Sequence, residues 1–194
     1  MKTNTINAAL ALALACAGAA HAAPLPLQEA VITATYNGSA DGMLGLDHMF
    51  AAEPGSNTST LDPSGTGVEF FTSDFLFGVD FAANGALTVL ANSAIPAGAY
   101  SMRFDFGSSL ASPITAFTFV GADGASGLPL LSIIDAHTIA LDLAGVNWAE
   151  YGSLTAQLSL ASEVPEPAST SIVLAGLAGL VLARRRHSKR QLRG

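Results

Sequence analysis

Four segments of the chain alternate apolar and polar residues with a period of two, and this pattern constrains the fold more than any other feature. A period of two with one apolar face is typical of antiparallel strands that are buried on one side. Five other segments show the pattern less regularly. The regular segments are 75–81, 102–106, 139–143 and 154–160, and the irregular ones are 30–36, 67–71, 87–91, 114–120 and 130–134.

Turn residues separate these segments and set the fold class. Asn84-Gly85 predicts a two-residue hairpin, because both residues tolerate the positive φ that such turns need. Further breaks are expected at 95–98, 112–113 and 121–124, where Gly and Pro occur. About eight or nine short strands, with no capped helical pattern between them, predict an all-β protein. We expect an antiparallel two-sheet sandwich of jelly-roll type.

Aromatic residues are concentrated in the middle of the chain. Nine of the ten phenylalanines lie between Phe70 and Phe119. Their alternating positions indicate that they fill the space between the two sheets. Trp148 and Tyr151 lie close together just before the last predicted strand. The segment 147–152 is therefore expected to be either a loop packed on the sandwich edge or a sugar-binding loop.

The charge distribution is strongly uneven. Residues 23–163 hold fourteen of the fifteen acidic residues but only one of the eight basic residues, Arg103, so the net charge of this segment is −13. Such a field argues against nucleic acid and anionic lipid headgroups as partners, and is compatible with solubility or with divalent cations. Arg103 is expected to pair with acids of a neighbouring strand. Loop acids that could bind Ca²⁺ are Asp41, Asp47, Asp62 and Asp123.

The N-terminal segment, residues 1–22, has the pattern of a secretory signal peptide. A lysine is followed by an apolar stretch and by the small-x-small sequence that signal peptidase cleaves. We expect passage through the secretion translocon and cleavage between Ala22 and Ala23. Cys16 is the only cysteine of the chain and lies in this segment. The mature protein would therefore contain no disulfide.

The C-terminal segment, residues 164–194, has three parts in a fixed order. An apolar run at 168–183 follows a short proline-containing motif and precedes a basic tail at 184–194. As a helix this run would rise about 24 Å, short of the roughly 30 Å hydrocarbon core, but arginine side chains can reach the interface. Basic residues hold such a tail in the cytoplasm, so we expect a stop-transfer membrane helix. The motif consists of Val164, Pro165, Glu166 and Pro167, and the tail begins with Arg184, Arg185 and Arg186.

This order of motif, apolar run and basic tail resembles the PEP-CTERM sorting signal. The resemblance implies processing by an exosortase, a membrane protease of Gram-negative bacteria that make exopolysaccharide. It also implies an inner-membrane precursor that is cut near the motif and reaches the outer surface or extracellular matrix, with exopolysaccharide as a further partner. The alternative is an ordinary single-pass anchor with a proline linker. The expected domains are a signal peptide at 1–22, an exported β-domain at 23–163 and a sorting signal at 164–194.

Recognisable catalytic motifs do not occur in residues 23–163. His48 and His137 have no metal-site spacing, and no nucleophile elbow, phosphate loop or dinucleotide fingerprint is present. We therefore predict a monomeric, structural or adhesive protein without catalytic residues, metal or cofactor. Two alternatives stay open: a carbohydrate- or calcium-binding module, and a polysaccharide hydrolase with paired carboxylates. Asp47 and His48 are a conceivable acid–base pair, and 53–67 is expected to be a flexible surface loop or a polysaccharide-contacting one.

Overall fold

The computed structural model describes residues 27–62, 64–65 and 67–161. Within these ranges eleven strands form two antiparallel sheets, with three short 3₁₀ turns between strands, so the all-β prediction is confirmed. The predicted signal peptide with its cleavage site, and the predicted sorting signal with its membrane helix, lie outside the described residues. No helix in the described part of the chain has the length and apolarity needed to cross a membrane.

The strands, numbered along the chain, are divided between a five-stranded sheet 1 and a six-stranded sheet 2, and all neighbours within a sheet run antiparallel. Sheet 1 has the order β3 (Thr58–Thr60), β1 (Val31–Tyr36), β7 (Ser101–Asp105), β10 (Thr138–Asp142) and β9 (Leu130–Asp135). Sheet 2 has the order β2 (Met43–Gly45), β4 (Phe70–Thr72), β5 (Phe77–Phe81), β6 (Ala86–Ala91), β11 (Asn147–Leu160) and β8 (Ile114–Ser126).

Aromatic side chains join the two sheets. Phe104 on β7 of sheet 1 packs against Phe81 on β5 of sheet 2, with ring centroids 5.0 Å apart, and against Phe70 on β4 at 6.2 Å. Tyr36 on β1 packs against Phe77 on β5 at 6.4 Å. All of these phenylalanines are fully buried. Since burying such a side chain contributes roughly 1.5–3 kcal/mol, this aromatic layer adds substantially to the stability of the packing between the sheets.

The connections bring together strands that are distant in sequence. β1 lies beside β7 in sheet 1, and β6 lies beside β11 in sheet 2. Pairing of distant strands is a property of Greek-key and jelly-roll folds, in which the chain crosses repeatedly from one sheet to the other. Two antiparallel sheets around a shared core agree with the predicted sandwich, while its jelly-roll connectivity stays a prediction.

The hairpin predicted at Asn84-Gly85 joins β5 to β6, but its loop is one residue longer than expected. The Ala82 N–H donates to the Ala86 carbonyl at 2.8 Å, and the Gly85 N–H donates to the Ala82 carbonyl at 2.9 Å. Gly85 alone in this loop has a positive φ, +91°. This is a three-residue loop that ends with a glycine bulge, so Asn84 does not need the left-handed conformation.

One predicted break and one predicted loop lie inside long strands. The segment 121–124 belongs to β8, and the segment 147–152 belongs to β11. The pairing between β8 and β11 shifts its register between Trp148 and Ser153, where residues on β11 are left unpaired. A bulge absorbs extra residues without ending a strand, and this is why local turn residues were misleading here.

Two local predictions were also wrong. Phe75 was expected to begin the apolar face of β5, but it lies in a turn, with φ +56° and its side chain 56% exposed. This turn is held by the Asp74 carboxylate, which accepts the Leu76 N–H at 3.1 Å. The segment 53–67, expected to be a loop, contains β3. Both β2 and β3 have three residues and are too short to show a period.

Candidate functional site

A shallow groove on the outer face of sheet 1 surrounds the only basic residue of the β-domain. Arg103 points outward because its strand neighbours, Met102 and Phe104, are buried in the core. It lies between Thr35 on β1 and Ala140 on β10. The small Ala140 side chain leaves room for a cavity of about 240 Å³. Its lining includes Thr35, Ser101, Arg103, Leu130, Ser132 and Ile134.

The ion pair expected for Arg103 is not formed within the described ranges. Acids of sheet 1 instead hold the turns that follow them. Asp105 accepts the Gly107 N–H at 2.8 Å, and Asp142 accepts the Ala144 N–H at 2.9 Å. The guanidinium therefore stays available on the groove surface, beside hydroxyl groups and aliphatic side chains.

Arg103 acts on a third acid only at longer range. Asp135 accepts the His137 N–H at 2.9 Å. This hydrogen bond lowers the pKa of the Asp135 carboxyl below its ordinary value, helped by the Thr138 hydroxyl and then by the positive charge of Arg103. The groove thus combines one cation with nearby carboxylates and hydroxyls, which is an arrangement able to donate and accept hydrogen bonds together.

A second group of polar side chains surrounds Glu69, the residue before β4. Glu69 is fully buried, and its two carboxylate oxygens accept the Asp62 N–H at 3.0 Å and the Phe81 N–H at 2.7 Å. Burial raises the pKa of Glu69 to about 7, although these N–H donors oppose the shift. Glu69 can therefore gain or lose a proton near neutral pH.

Asp80 adds a second perturbed carboxyl near Glu69. Burial raises the pKa of Asp80, and the charge of Asp62 raises it further. Its Oδ1 atom is buried and has no hydrogen-bond partner among the described residues. Sequence analysis missed this pair because the alternation of β5 places Asp80 on the outer side. The sequence feature that could have indicated the buried Glu69 is its position as a single acid between two apolar residues, Val68 and Phe70.

The conceivable acid–base pair Asp47 and His48 is not formed. Asp47 Oδ2 accepts both the backbone N–H and the hydroxyl of Thr60 at 2.9 Å, which ties it to β3. His48 Nδ1 lies 2.6 Å from Glu53 Oε1, and both side chains are partly exposed. The two neighbouring residues therefore have separate structural partners. His137 lies elsewhere, in the turn between β9 and β10.

Trp148 does not form a sugar platform. Its ring is buried and packs edge to face against Phe77, with centroids 5.4 Å apart. Tyr151 is 75% exposed, with φ +60°, in the bulged part of β11. The segment 147–152, expected to be either a loop on the sandwich edge or a sugar-binding loop, is therefore part of a strand, and its tryptophan belongs to the core.

The acids proposed for Ca²⁺ do not come together. Asp41 follows β1, Asp47 holds β3, Asp62 lies near Glu69, and Asp123 is on β8. In the part of the chain that the structure describes, no group of three or more His, Cys, Asp or Glu side chains could hold a metal ion.

The C-terminal segment is matched by a known family. The family of the PEP-CTERM protein-sorting motif matches residues 163–186. The chain carries a PEP-CTERM protein-sorting motif. The match includes the predicted residues Val164 to Pro167 and Arg184 to Arg186. No curated protein and no solved structure matches this chain.

The PEP-CTERM motif indicates an exported protein that is targeted to an exosortase and sorted to the cell surface. The motif covers a small part of the chain and lies outside the described residues. It begins two positions after Ala161, the last described residue. Ala161 is itself attached to the fold, because its N–H donates to the Pro113 carbonyl at 2.9 Å. The described β-domain therefore extends almost to the start of the sorting motif.

Proposed function

We propose that this protein is a non-enzymatic structural or adhesive component of the outer surface or exopolysaccharide matrix. The observation that carries the proposal is the direct connection between a PEP-CTERM motif and a single β-domain with an aromatic core. The signal delivers the domain to the surface, and the domain provides the material that remains there. In the precursor, the apolar run at 168–183 anchors the chain in the inner membrane and the basic tail stays in the cytoplasm.

Sorting can be tested in the native host. Replacing Pro165, Glu166 and Pro167 by alanine should leave the protein in the inner membrane with its C-terminus intact to Gly194. The wild type should lose its tail and reach the surface, as shown by mass spectrometry and cell fractionation. Ser171→Ala, inside the apolar run, is the matched control and should mature normally. Normal maturation of the triple variant would refute the sorting role of the motif.

The absence of enzymatic activity needs a separate experiment. The mature protein, incubated with the host's exopolysaccharide, should bind it without releasing oligosaccharides. Asp47→Ala and His48→Ala test the acid–base pair that the sequence suggested. In the structure each of these side chains bonds a separate partner, Thr60 or Glu53, so neither substitution should change the result. If the wild type releases oligosaccharides steadily and either substitution abolishes that release, the polysaccharide hydrolase would be favoured instead.

A carbohydrate-binding module is a second candidate, and the Arg103 groove favours it. The groove offers a guanidinium, three hydroxyl side chains and an aliphatic flank, which together suit a sugar ring with its hydroxyl groups. Arg103→Ala should then weaken retention on the exopolysaccharide at least about tenfold. Thr118→Ala, exposed on the outer face of β8, should not change it. Equal retention of both variants would exclude the groove as the binding site.

A further inference from the structure

The outer face of sheet 1 has two cross-strand rows of side chains around one small residue, Ala140. In the first row, Arg103 of β7 is paired with Ala140 of β10, and Ala140 is paired with Ser132 of β9. In the second row, Asp142 of β10 is paired with Leu130 of β9. Neighbouring strands are about 4.8 Å apart, so the backbones of β7 and β9 lie roughly 10 Å apart on either side of Ala140. The methyl group of Ala140 therefore leaves a gap between a guanidinium and a hydroxyl group.

The groove offers one donor group and one acceptor atom that the fold does not use. The guanidinium of Arg103 is exposed and forms no ion pair within the described part of the chain. Asp142 accepts the Ala144 N–H at 2.9 Å with Oδ1, while its Oδ2 atom makes no hydrogen bond to the residues that the structure describes. Both side chains line the same cavity as diagonal neighbours, a position about 7–8 Å apart between Cα atoms. One small molecule can therefore contact both.

The chemistry of these two groups defines what such a molecule must carry. A guanidinium only donates hydrogen bonds, and a carboxylate only accepts them. A ligand between Arg103 and Asp142 must therefore accept on one side and donate on the other. Hydroxyl groups do both, so a molecule with adjacent hydroxyl groups satisfies both partners.

Charge disfavours an ionised ligand in this groove. An anion would be attracted by Arg103 but repelled by Asp142 and by a β-domain of net charge −13. A cation would be attracted by Asp142 but repelled by Arg103, with which it would share a cavity of about 240 Å³. An uncharged ligand avoids both repulsions. It still binds both charged groups through hydrogen bonds, which are stronger than those between neutral groups.

The size of the groove and its apolar flank fit a single ring. Pockets for drug-sized ligands have volumes of about 300–1,000 Å³, so a cavity of about 240 Å³ takes a smaller molecule. Leu130 and Ile134, which also line the cavity, are 65% and 52% exposed. Their aliphatic side chains can contact the C–H face of a sugar ring, while hydroxyl groups at its rim reach Arg103 and Asp142.

We propose that the Arg103 groove binds one uncharged sugar unit, whose adjacent hydroxyl groups accept hydrogen bonds from Arg103 and donate to Asp142. This inference rests on the carbohydrate-binding candidate function and adds its ligand class, which is neutral hexose units and not uronic acids or amino sugars. Ala140 then controls access, because a larger side chain at this position would occupy the space of the ring.

The test measures binding of single sugars to the full chain by saturation-transfer NMR, in a detergent without a sugar headgroup. The neutral probes are the methyl glycosides of glucose, galactose and mannose, and the charged probes are methyl glucuronide and glucosamine. Ala140→Leu fills the groove without changing its charge. Ala116→Leu is the matched control, because Ala116 is also half-buried and is paired with the exposed Ser159 in the other sheet. Circular dichroism checks that both variants are folded.

We expect at least one neutral glycoside to bind the wild type more tightly than both charged probes. Ala140→Leu should raise its dissociation constant at least about tenfold, and Ala116→Leu should leave it unchanged. Asp142→Asn keeps a carbonyl oxygen for the Ala144 N–H but loses the second acceptor, so it should weaken the neutral glycoside at least about fivefold.

The opposite response to Asp142→Asn would overturn the proposal. If methyl glucuronide binds the wild type most tightly and Asp142→Asn strengthens that binding, the groove is an anion site. Equal binding to the wild type and Ala140→Leu would place the sugar elsewhere. If no neutral glycoside binds but Arg103→Ala still reduces exopolysaccharide retention, this inference fails while the carbohydrate-binding candidate stands. If retention is also unchanged, both fail.

Discussion

The two lateral sides of the sandwich are completed in different ways. On the β2–β3 side both edge strands have three residues, and the core residues Met43 and Ser59 are fully buried. The Gly45 N–H of β2 donates to the Ser56 carbonyl just before β3, which links the two sheets through the main chain. On the β8–β9 side both edge strands are longer, and inward-facing side chains are exposed.

This difference shows two effects that an edge strand can have on the core of a sandwich. Short strands joined by main-chain hydrogen bonds close the core and leave little edge to which another chain could pair. Long strands with bulges also discourage pairing, but they leave apolar side chains accessible. The closed side therefore buries its edge residues in the core, while the open side leaves apolar side chains in contact with solvent. Substitutions matched across the two sides should show this contrast.

The largest difference is expected for phenylalanine. Phe70→Ala on β4 removes a fully buried ring that packs against Phe104, and should lower the free energy of unfolding by about 3–5 kcal/mol. Phe119→Ala on the open side should cost no more than about 2 kcal/mol, because that ring is partly solvated already. Urea unfolding at a concentration where the protein is monomeric measures both values. Equal losses would show that the open side is packed as tightly as the closed one.

Alternation along β5, β7, β10 and β11 was sufficient to predict the class of fold and most of the core. Phe77, Phe81 and Phe104 are buried as their positions predict. The pattern depends only on which side of a strand faces the other sheet, so it survives without knowledge of strand order. It could not identify the lateral openings, because Phe119 and Ile133 alternate correctly and are exposed only by the position of their strands at the edges.

The buried polar groups were harder to predict for a similar reason. Glu69 precedes a strand of three residues, and its hydrogen bonds come from Asp62 and Phe81, which are distant in sequence. No local pattern indicates such convergence. The sorting motif was predictable because it is a linear signal. Its recognition depends on the order of residues and not on contacts made by the fold.

Glu69 should make the closed side sensitive to pH. Its pKa is about 7 in the folded protein against an ordinary value of 4.5, so the folded state binds the proton more tightly than the unfolded chain. The contribution of Glu69 to the free energy of unfolding is then largest below about pH 4.5. It decreases as pH rises to about 7, by at most about 3 kcal/mol. Urea unfolding at several pH values measures this decrease.

Glu69→Gln isolates this contribution from the general repulsion among the other acids. The amide cannot titrate, so stability should change much less between pH 4.5 and 7 than in the wild type. The variant should also be less stable at low pH, because the amide nitrogen cannot accept one of the two N–H groups. A wild-type decrease that persists unchanged in Glu69→Gln would assign the effect to other groups, such as Asp80.

Two glycines test how tightly each side is packed. A Cβ on Gly45 would lie 2.6 Å from the Ser56 carbonyl oxygen, whereas a Cβ on Gly121 of β8 would meet nothing within 4 Å. Gly45→Ala should therefore destabilise the protein by roughly 1–3 kcal/mol. Gly121→Ala should be neutral or stabilise it by up to about 1 kcal/mol, through the unfolded state. Thermal unfolding distinguishes the two, and a harmless Gly45→Ala would show that the closed side can relax.

The smallest expected effects come from one acid on each side. Asp47 accepts two hydrogen bonds from Thr60 and holds β3, so Asp47→Ala should cost about 1 kcal/mol. Asp123 on β8 makes no side-chain hydrogen bond within the described residues, and Asp123→Ala should change monomer stability by less than about 0.5 kcal/mol. Urea unfolding measures both losses, and equal losses for the two acids would show that the hydrogen bonds from Thr60 contribute nothing measurable to the closed side.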